Sequence, residues 1–160
     1  MLHHPTPSVQ NGANWLRNIN NVEGLGDVSL MSRKPSEHSE QVIVVRRLRS
    51  ADILHCAVPN GGKRNRKEAI KLTQEGVSRG APDLLIFCPP PACPDKVGTA
   101  LEMKREGGCE LDLSRYQKKW LSNLEKLGWL VLVGYGARDA LTKLRDAGYA
   151  VKPPKLPDGW

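Results

Sequence analysis

Short apolar runs punctuate the middle of the chain and predict a set of strands. Residues 81–87 and 99–104 form two such runs, bounded by Gly or Pro and rich in Leu, Ile, Phe or Thr. Runs of this length and composition are typical of buried strands. Residues 53–58 predict another short strand, and the continuous apolar run over 129–135 predicts a strand that we expect to be buried.

The segments between these runs predict helices. Ser36 can cap a helix over residues 37–50, although the β-branched run V-I-V-V inside this segment would also suit a strand. The length of the segment, its cap and the R-R-L-R that follows favour the helix. A short helix is predicted over 68–74, and a last helix over 137–147 is closed by Gly148.

The segment that begins at Ser114 has a clear helix-start signature. Ser114 and Gln117 form the S-x-x-Q pattern of a capping box, and Gly128 ends the helix. The helix carries an apolar stripe made by Leu113, Tyr116, Trp120, Leu124 and Leu127. Gln117 is therefore predicted to be a helix cap.

The order of these elements predicts an α/β fold. A helix, a strand and a second helix precede a β-hairpin, after which helix, strand and helix follow. This order gives a mixed β-sheet flanked by helices. We expect one folded domain over residues 36–150, preceded by an arm over 1–35 that can be flexible and followed by a tail over 151–160.

Charged residues stand at the ends of the two runs that predict the hairpin. Asp83 opens the run A-P-D-L-L-I-F, and Glu102 and Lys104 close the run T-A-L-E-M-K. Side chains alternate between the faces of a strand, so Glu102 and Lys104 point the same way, and pairing of the runs places Asp83 beside Glu102. Two carboxylates are hard oxygen ligands suited to Mg²⁺ or Mn²⁺. An adjacent lysine can hold a water molecule or help to deprotonate it.

The charge of the chain points to a polyanionic partner. The sequence has 24 Lys and Arg against 17 Asp and Glu, a net charge of +7 and a pI near 9.4. Such an excess favours nucleic acid, because phosphate contacts release counterions. A dense basic cluster after the turn P-N-G-G contains Lys63, Arg64, Arg66 and Lys67. This cluster is either a solvated loop or a set of phosphate contacts.

The remaining composition predicts a cytoplasmic protein without a membrane segment. The first residues lack a basic region that leads into an apolar stretch, so no signal peptide is predicted. No apolar run approaches the roughly 18 residues that span a bilayer. The four cysteines are expected to be reduced thiols. A structural zinc site at Cys88, Cys93 and Cys109 would lack both C-x-x-C spacing and a fourth ligand.

Four motifs occur in an order that resembles a known nuclease family. They are H-C-A-V-P-N-G-G-K-R (55–64), E-G-V-S-R-G-A-P-D (75–83), L-E-M-K (101–104) and S-R-Y-Q-K-K-W (114–120). Together they resemble the VRR-NUC family of the PD-(D/E)XK nuclease superfamily, especially its small stand-alone phage and prophage members. The similarity extends over residues 37–147. The resemblance implies a restriction-endonuclease-like fold and Mg²⁺-dependent cleavage of DNA, with Mn²⁺ able to replace Mg²⁺.

The resemblance also implies which residues hold the metal. Asp83, Glu102 and the backbone carbonyl of Met103 would be its ligands. Glu40, or alternatively Glu37, would add a third carboxylate from the first helix. If neither residue has this role, both are favourable charges in a first helical turn.

Further roles implied by the resemblance fall on residues around the metal. Lys104 would position the attacking water and steady the charge of the transition state. Gln117 would touch that water or a phosphate, and Glu75 is an outside candidate for a further acid. Contacts to the DNA backbone would come from Lys63, Arg64, Arg66, Lys67 and Arg79, with Arg46 and Arg47.

The small members of the family imply a homodimer that cuts branched DNA, such as four-way (Holliday) junctions. Two active sites related by a twofold axis suit a symmetric junction, since both strands must be cut. The alternatives are a flap-specific or sequence-specific nuclease and a DNA-binding module that has lost its activity. The intact set of Asp83, Glu102, Lys104 and Gln117 argues against the last of these.

Overall fold

The structure is a computed structural model that describes residues 35–59 and 66–154. The predicted arm over residues 1–35 lies outside these ranges except for Pro35, and Lys63, Arg64 and residues 155–160 lie outside them as well. The predicted division into arm, domain and tail stays a prediction.

The described residues form helices and strands close to the predicted ones. The helices are α1 (Glu37–Ser50), α2 (Arg66–Gln74), α3 (Arg115–Lys126) and α4 (Gly136–Asp146), and the strands are β1 (His55–Ala57), β2 (Leu84–Ile86), β3 (Thr99–Lys104) and β4 (Leu130–Tyr135). A 3₁₀ turn (Glu110–Asp112) precedes α3. Every predicted element is present, and the ends differ by only a few residues. Within the described ranges, no helix is both long and apolar enough to cross a membrane.

Helix α1 forms despite its β-branched run. Its N-cap is Ser36, whose Oγ accepts a hydrogen bond from the N–H of Ser39 at 3.1 Å. Val44 and Leu48 are completely buried on the face that packs against α4 and β3. The cap and this tertiary packing outweigh the strand propensity of the sequence.

The four described strands form one mixed sheet in the order β1-β2-β3-β4. The pairs β1–β2 and β2–β3 are antiparallel, and β3–β4 is parallel. Leu84 lies opposite Leu101 in the predicted hairpin. The same register brings Asp83, which precedes β2, to the level of Glu102.

Alternation along β3 separates the core from the charged face of the sheet. Leu101 and Met103 point into the hydrophobic core that β3 forms with α1 and α4. Glu102 and Lys104 therefore point to the opposite face, as predicted. Both are nevertheless buried, with 1% and 7% of their surface exposed. The site is thus built on the rigid strand next to the core.

Strand β4 is less buried than its apolar sequence predicts. Residues 130–133 are only partly buried, because β4 lies at an edge of the described sheet and has a strand neighbour on one side. Two side chains of α4 bind its backbone. Lys143 Nζ donates to the carbonyl of Val133 at 2.8 Å, and the N–H of Tyr135 donates to Asp139 Oδ2 at 2.9 Å.

Candidate active site

Two carboxylates lie next to each other where β2 begins and β3 ends. Asp83 Oδ2 accepts a hydrogen bond from the N–H of Met103 at 2.7 Å, which fixes Asp83 against β3. The register of β2 with β3 places Asp83 opposite Glu102, and burial first and the charge of Asp83 second raise the pKa of Glu102. The predicted pairing of Asp83 with Glu102 is therefore present.

The two oxygens of Glu102 have different surroundings. Oε1 accepts hydrogen bonds from Lys104 Nζ at 2.8 Å and from Gln117 Nε2. Oε2 is buried, and no described residue donates a hydrogen bond to it. A buried acceptor without a donor is unfavourable in a folded protein. Such an atom is suited to a ligand that the protein itself does not supply.

Burial and mutual repulsion disfavour the charged forms of both carboxyl groups. Desolvation raises the pKa of Glu102 to about 7, Asp83 adds to this rise, and Lys104 opposes it. Desolvation also raises the pKa of Asp83, against the effects of the Met103 N–H and of Lys104. A bound cation would relieve both the desolvation and the repulsion.

Gln117 is both a helix cap and a residue of the site. Its Oε1 accepts a hydrogen bond from the N–H of Ser114 at 2.9 Å, and its own N–H donates to Ser114 Oγ at 3.3 Å. These two bonds form the predicted capping box of α3. Its Nε2 takes no part in the cap and donates to Glu102 Oε1. The cap therefore fixes the direction in which the amide reaches the site.

The two acids of α1 have different positions. Glu40 is buried, and its Oε2 accepts a hydrogen bond from the N–H of Ala137 at 2.6 Å, at the start of α4. A carboxylate stabilises a helix N-terminus in this way. Glu37 is instead the α1 acid whose charge raises the pKa of Asp83 and Glu102. The metal role of Glu40 and the alternative assignment to Glu37 both stay predictions.

In the described part of the chain, no three His, Cys, Asp or Glu side chains lie close enough together to hold a metal ion. Two carboxylates and a backbone carbonyl are nonetheless a suitable partial set for Mg²⁺, which keeps several waters and binds through one or two protein carboxylates. The unsatisfied Oε2 of Glu102 fits this set. Cys88 and Cys93 are partly buried free thiols, and Cys56 and Cys109 are exposed ones.

A cleft of about 880 Å³ lies at the end of β3, where Lys104 is part of its lining. It is lined by Pro35, Ser36, Glu37, His38, Lys104, Arg105, Glu106, Gly107 and Asp112. Lys104 thus lines the cleft and also binds Glu102 of the carboxylate pair. The cleft offers space for a substrate next to Lys104.

The predicted DNA-binding residues are only partly described. Lys67 is exposed on α2, of which Arg66 is the first residue, and Arg79 is exposed in the segment before β2. Arg46 and Arg47 are exposed on α1. Their roles stay predictions.

Glu75 and His55 each have a partner that is close in the chain. Glu75 forms an ion pair with Lys71 at 3.7 Å, one turn earlier in the chain. His55 Nδ1 lies 2.6 Å from the carbonyl oxygen of Ile53.

Gly80 is a site-forming residue that sequence reasoning missed. Its φ is +85°, and a Cβ there would lie 2.6 Å from the carbonyl carbon of Tyr116 and 2.8 Å from the nitrogen of Gln117. The segment before Asp83 therefore packs directly on the first turn of α3, which only glycine permits. Its place in the motif G-A-P-D was the available signal.

Gly80→Ala is expected to lower the free energy of unfolding by roughly 3 kcal/mol, because a left-handed backbone and a backbone clash act together. Urea denaturation measures this loss. Gly76→Ala is the matched control: its φ is +96°, but no atom lies within 4 Å of the added Cβ. Only the conformational cost of about 1 kcal/mol applies there. Equal losses in the two variants would contradict the close packing of Gly80 on α3.

A mixed sheet that brings Asp83 to Glu102, with Lys104 two residues further on, has the arrangement of the PD-(D/E)XK nuclease core. The family model for the VRR-NUC domain matches residues 35–138 of this 160-residue chain. The chain belongs to the VRR-NUC family, which implies a nuclease of the PD-(D/E)XK type that binds DNA. The resemblance stated from the motifs is confirmed.

A solved structure described as a VRR_NUC domain protein supports the same fold. It has a TM-score of 0.50 and 22% sequence identity, over 71% of this chain and 88% of that one. The predicted restriction-endonuclease-like α/β fold is thereby confirmed. Comparison with curated proteins finds no match.

Proposed function

We propose that this protein is a metal-dependent DNA endonuclease that uses Mg²⁺, with Mn²⁺ able to replace it. One observation carries the proposal above all. Glu102 presents a buried, unsatisfied Oε2 next to the Asp83 carboxylate, while its Oε1 is held by a lysine ammonium. A purely structural ion pair has no need of a second acid beside it or of an unsatisfied oxygen.

The side chains present fit a divalent cation. The cation would be held by Asp83, Glu102 and the carbonyl of Met103. The negative charge of Glu37 also acts on both carboxyl groups. Glu40 would buttress the site from the α1–α4 contact. When bound, the cation supplies Lewis-acid polarisation of the scissile phosphate and lowers the pKa of a water.

The protein's own residues would orient the reacting groups. Lys104 Nζ and Gln117 Nε2 together fix Oε1 of Glu102, so that Oε2 keeps one direction. An ammonium is a donor only. In this arrangement Lys104 would therefore orient the attacking water and stabilise the charge that builds on the phosphate, rather than accept a proton.

We extend the proposal to branched DNA cut by a homodimer, with four-way junctions as the favoured substrate. The support is the likeness of the motifs to small members of the family, together with the symmetry argument that two twofold-related sites suit a symmetric junction. The basic residues along the chain would bind the backbone without reading bases.

The decisive experiment is cleavage of a labelled four-way junction, a flap and a plain duplex in Mg²⁺, Mn²⁺ or EDTA, with Asp83→Ala beside the wild type. We expect paired symmetric nicks in the junction, in either metal, and none in EDTA or with Asp83→Ala. Removal of one carboxylate of the pair should cost at least about 10²-fold in rate.

The other outcomes separate the parts of the proposal. Cutting of flaps alone would support the nuclease activity and contradict the junction specificity and the dimer. Cutting at one sequence in plain duplex would indicate a sequence-specific enzyme. Tight binding without cleavage in any metal would identify an inactive DNA-binding module.

A further inference from the structure

Two arginines are gathered on one tyrosine at the start of α3. The guanidinium carbon of Arg79 lies 4.4 Å from the ring centroid of Tyr116, and that of Arg115 lies 4.8 Å from it. Arg115 Nη2 also donates a hydrogen bond to Tyr116 Oη at 2.8 Å. Cation–π contacts hold both guanidinium groups in place. We call these three residues the arginine–tyrosine cluster.

The cluster carries positive charge that the described protein does not neutralise. No ion pair among the described residues includes Arg79 or Arg115. In contrast, Arg145 on α4 binds Asp146 Oδ1 at 2.8 Å. Two guanidinium groups that share one ring repel each other, and an anion between or beside them would remove that repulsion.

The cluster is rigidly connected to the carboxylate pair. Gly80 follows Arg79 and packs against the backbone of Tyr116 and Gln117, where no Cβ would fit. Gln117 in turn donates to Glu102. The arginines are therefore connected to the acids through two tertiary contacts, Gly80 with the first turn of α3 and Gln117 with Glu102.

We propose that the arginine–tyrosine cluster binds a DNA phosphate next to the scissile one and thereby positions the strand in the active site. This inference rests on the proposed function. A guanidinium presents a planar fork of donors that matches phosphate oxygens. The ring of Tyr116 already lies against guanidinium groups, so a stacked base would displace them, whereas a phosphate would not. The ligand is thus the backbone, and Tyr116 is a positioning residue.

The test measures binding of a labelled duplex and a labelled four-way junction in EDTA, over a series of salt concentrations. For the double variant Arg79→Ala/Arg115→Ala, we expect the slope of log K against log salt to fall by about 0.9 per arginine. We expect affinity to fall on the order of tenfold per arginine, as for a lost charge-assisted contact. Arg145→Ala, whose guanidinium is already paired, is the matched control and should bind like the wild type.

Tyr116→Leu tests whether binding depends on the arrangement of the two guanidinium groups or only on their charge. It removes no charge, yet we expect roughly threefold weaker binding because the guanidinium groups lose their support, whereas Tyr116→Phe keeps the ring and should bind within about twofold of the wild type. Thermal unfolding of each variant shows whether the fold is retained. Wild-type affinity in the double arginine variant would overturn the proposal, and wild-type affinity in Tyr116→Leu would overturn the role of the ring.

The experiment also distinguishes failure of the cluster from failure of the proposed function. Binding in EDTA does not depend on cleavage. If the wild type binds DNA but never cuts it, the nuclease proposal is wrong, and the binding data still test the phosphate contact of the cluster. With Mg²⁺ present, the double variant should raise KM and leave kcat within about threefold, since no reacting atom is touched. A loss confined to kcat would contradict a phosphate contact.

Discussion

Lys104→Met is expected to lower the rate of DNA cleavage about 10³-fold and to leave the affinity for DNA nearly unchanged. The reason is the position of the ammonium. Lys104 is 7% exposed and its Nζ is bound to Glu102 Oε1 at 2.8 Å, so it is a charge inside the site rather than a surface contact. Methionine has a similar length and removes only the charge and its hydrogen bonds. The substitution therefore removes stabilisation that matters chiefly in the transition state.

Single-turnover cleavage and binding in EDTA measure the two parts of this prediction separately. Lys126→Met is the control, because Lys126 is an exposed lysine in the last turn of α3 and does not line the cleft. It should leave kcat within about threefold. If Lys104→Met cuts within tenfold of the wild-type rate, the assignment of Lys104 to the chemistry is wrong. If it loses binding and cleavage in parallel, Lys104 is a DNA contact instead.

In the absence of divalent cations, Glu102 should make the folded protein less stable as the pH rises. Its pKa is about 7 in the folded protein against 4.5 for the ordinary group, so the folded state binds more protons between these values. Stability is then highest below pH 4.5 as far as this group is concerned, and it falls until the pH passes 7. The fall amounts to about 3 kcal/mol between pH 4 and pH 8.

The difference in stability between wild type and Glu102→Gln isolates this effect, since glutamine does not ionise. Urea denaturation in EDTA from pH 4 to pH 8 should show the wild type losing about 3 kcal/mol relative to the variant. Glu125→Gln, a substitution of an exposed glutamate on α3, should show no such change. Parallel curves for wild type and Glu102→Gln would contradict the raised pKa. Under the proposed function, Mg²⁺ at pH 8 should stabilise the wild type and have little effect on Glu102→Gln.

Local patterns predict most of this fold and the centre of the site. The cap at Ser36 and the capping box at Gln117 are each encoded within a few residues of sequence. Alternation along β3 then places Glu102 and Lys104 on one face without any tertiary information. Only the family resemblance implied that Gln117 belongs to the site, and its hydrogen bond to Glu102 was not predicted.

The missed features depend on contacts between distant segments. Glu40 binds the N–H of Ala137, 97 residues away, and no local pattern indicates that its carboxylate is used to join α1 to α4. The packing of Gly80 on Tyr116 is likewise a tertiary contact, and a lone glycine reads equally well as a turn. The apolar sequence of β4 does not show whether both of its edges are paired.

The α4 contacts to β4 limit how copies of this protein can associate. The N–H of Leu130 bonds to Gly98 on the β3 side, so the alternate residues Val133 and Tyr135 direct their backbone groups away from β3. Lys143 binds the carbonyl of Val133, and Asp139 binds the N–H of Tyr135. The Val133 carbonyl and the Tyr135 N–H are therefore not available to pair with a foreign strand, and covering edge groups in this way is a safeguard against aggregation. A second copy of this chain that approached β4 as an added strand would consequently find these two pairing groups already occupied.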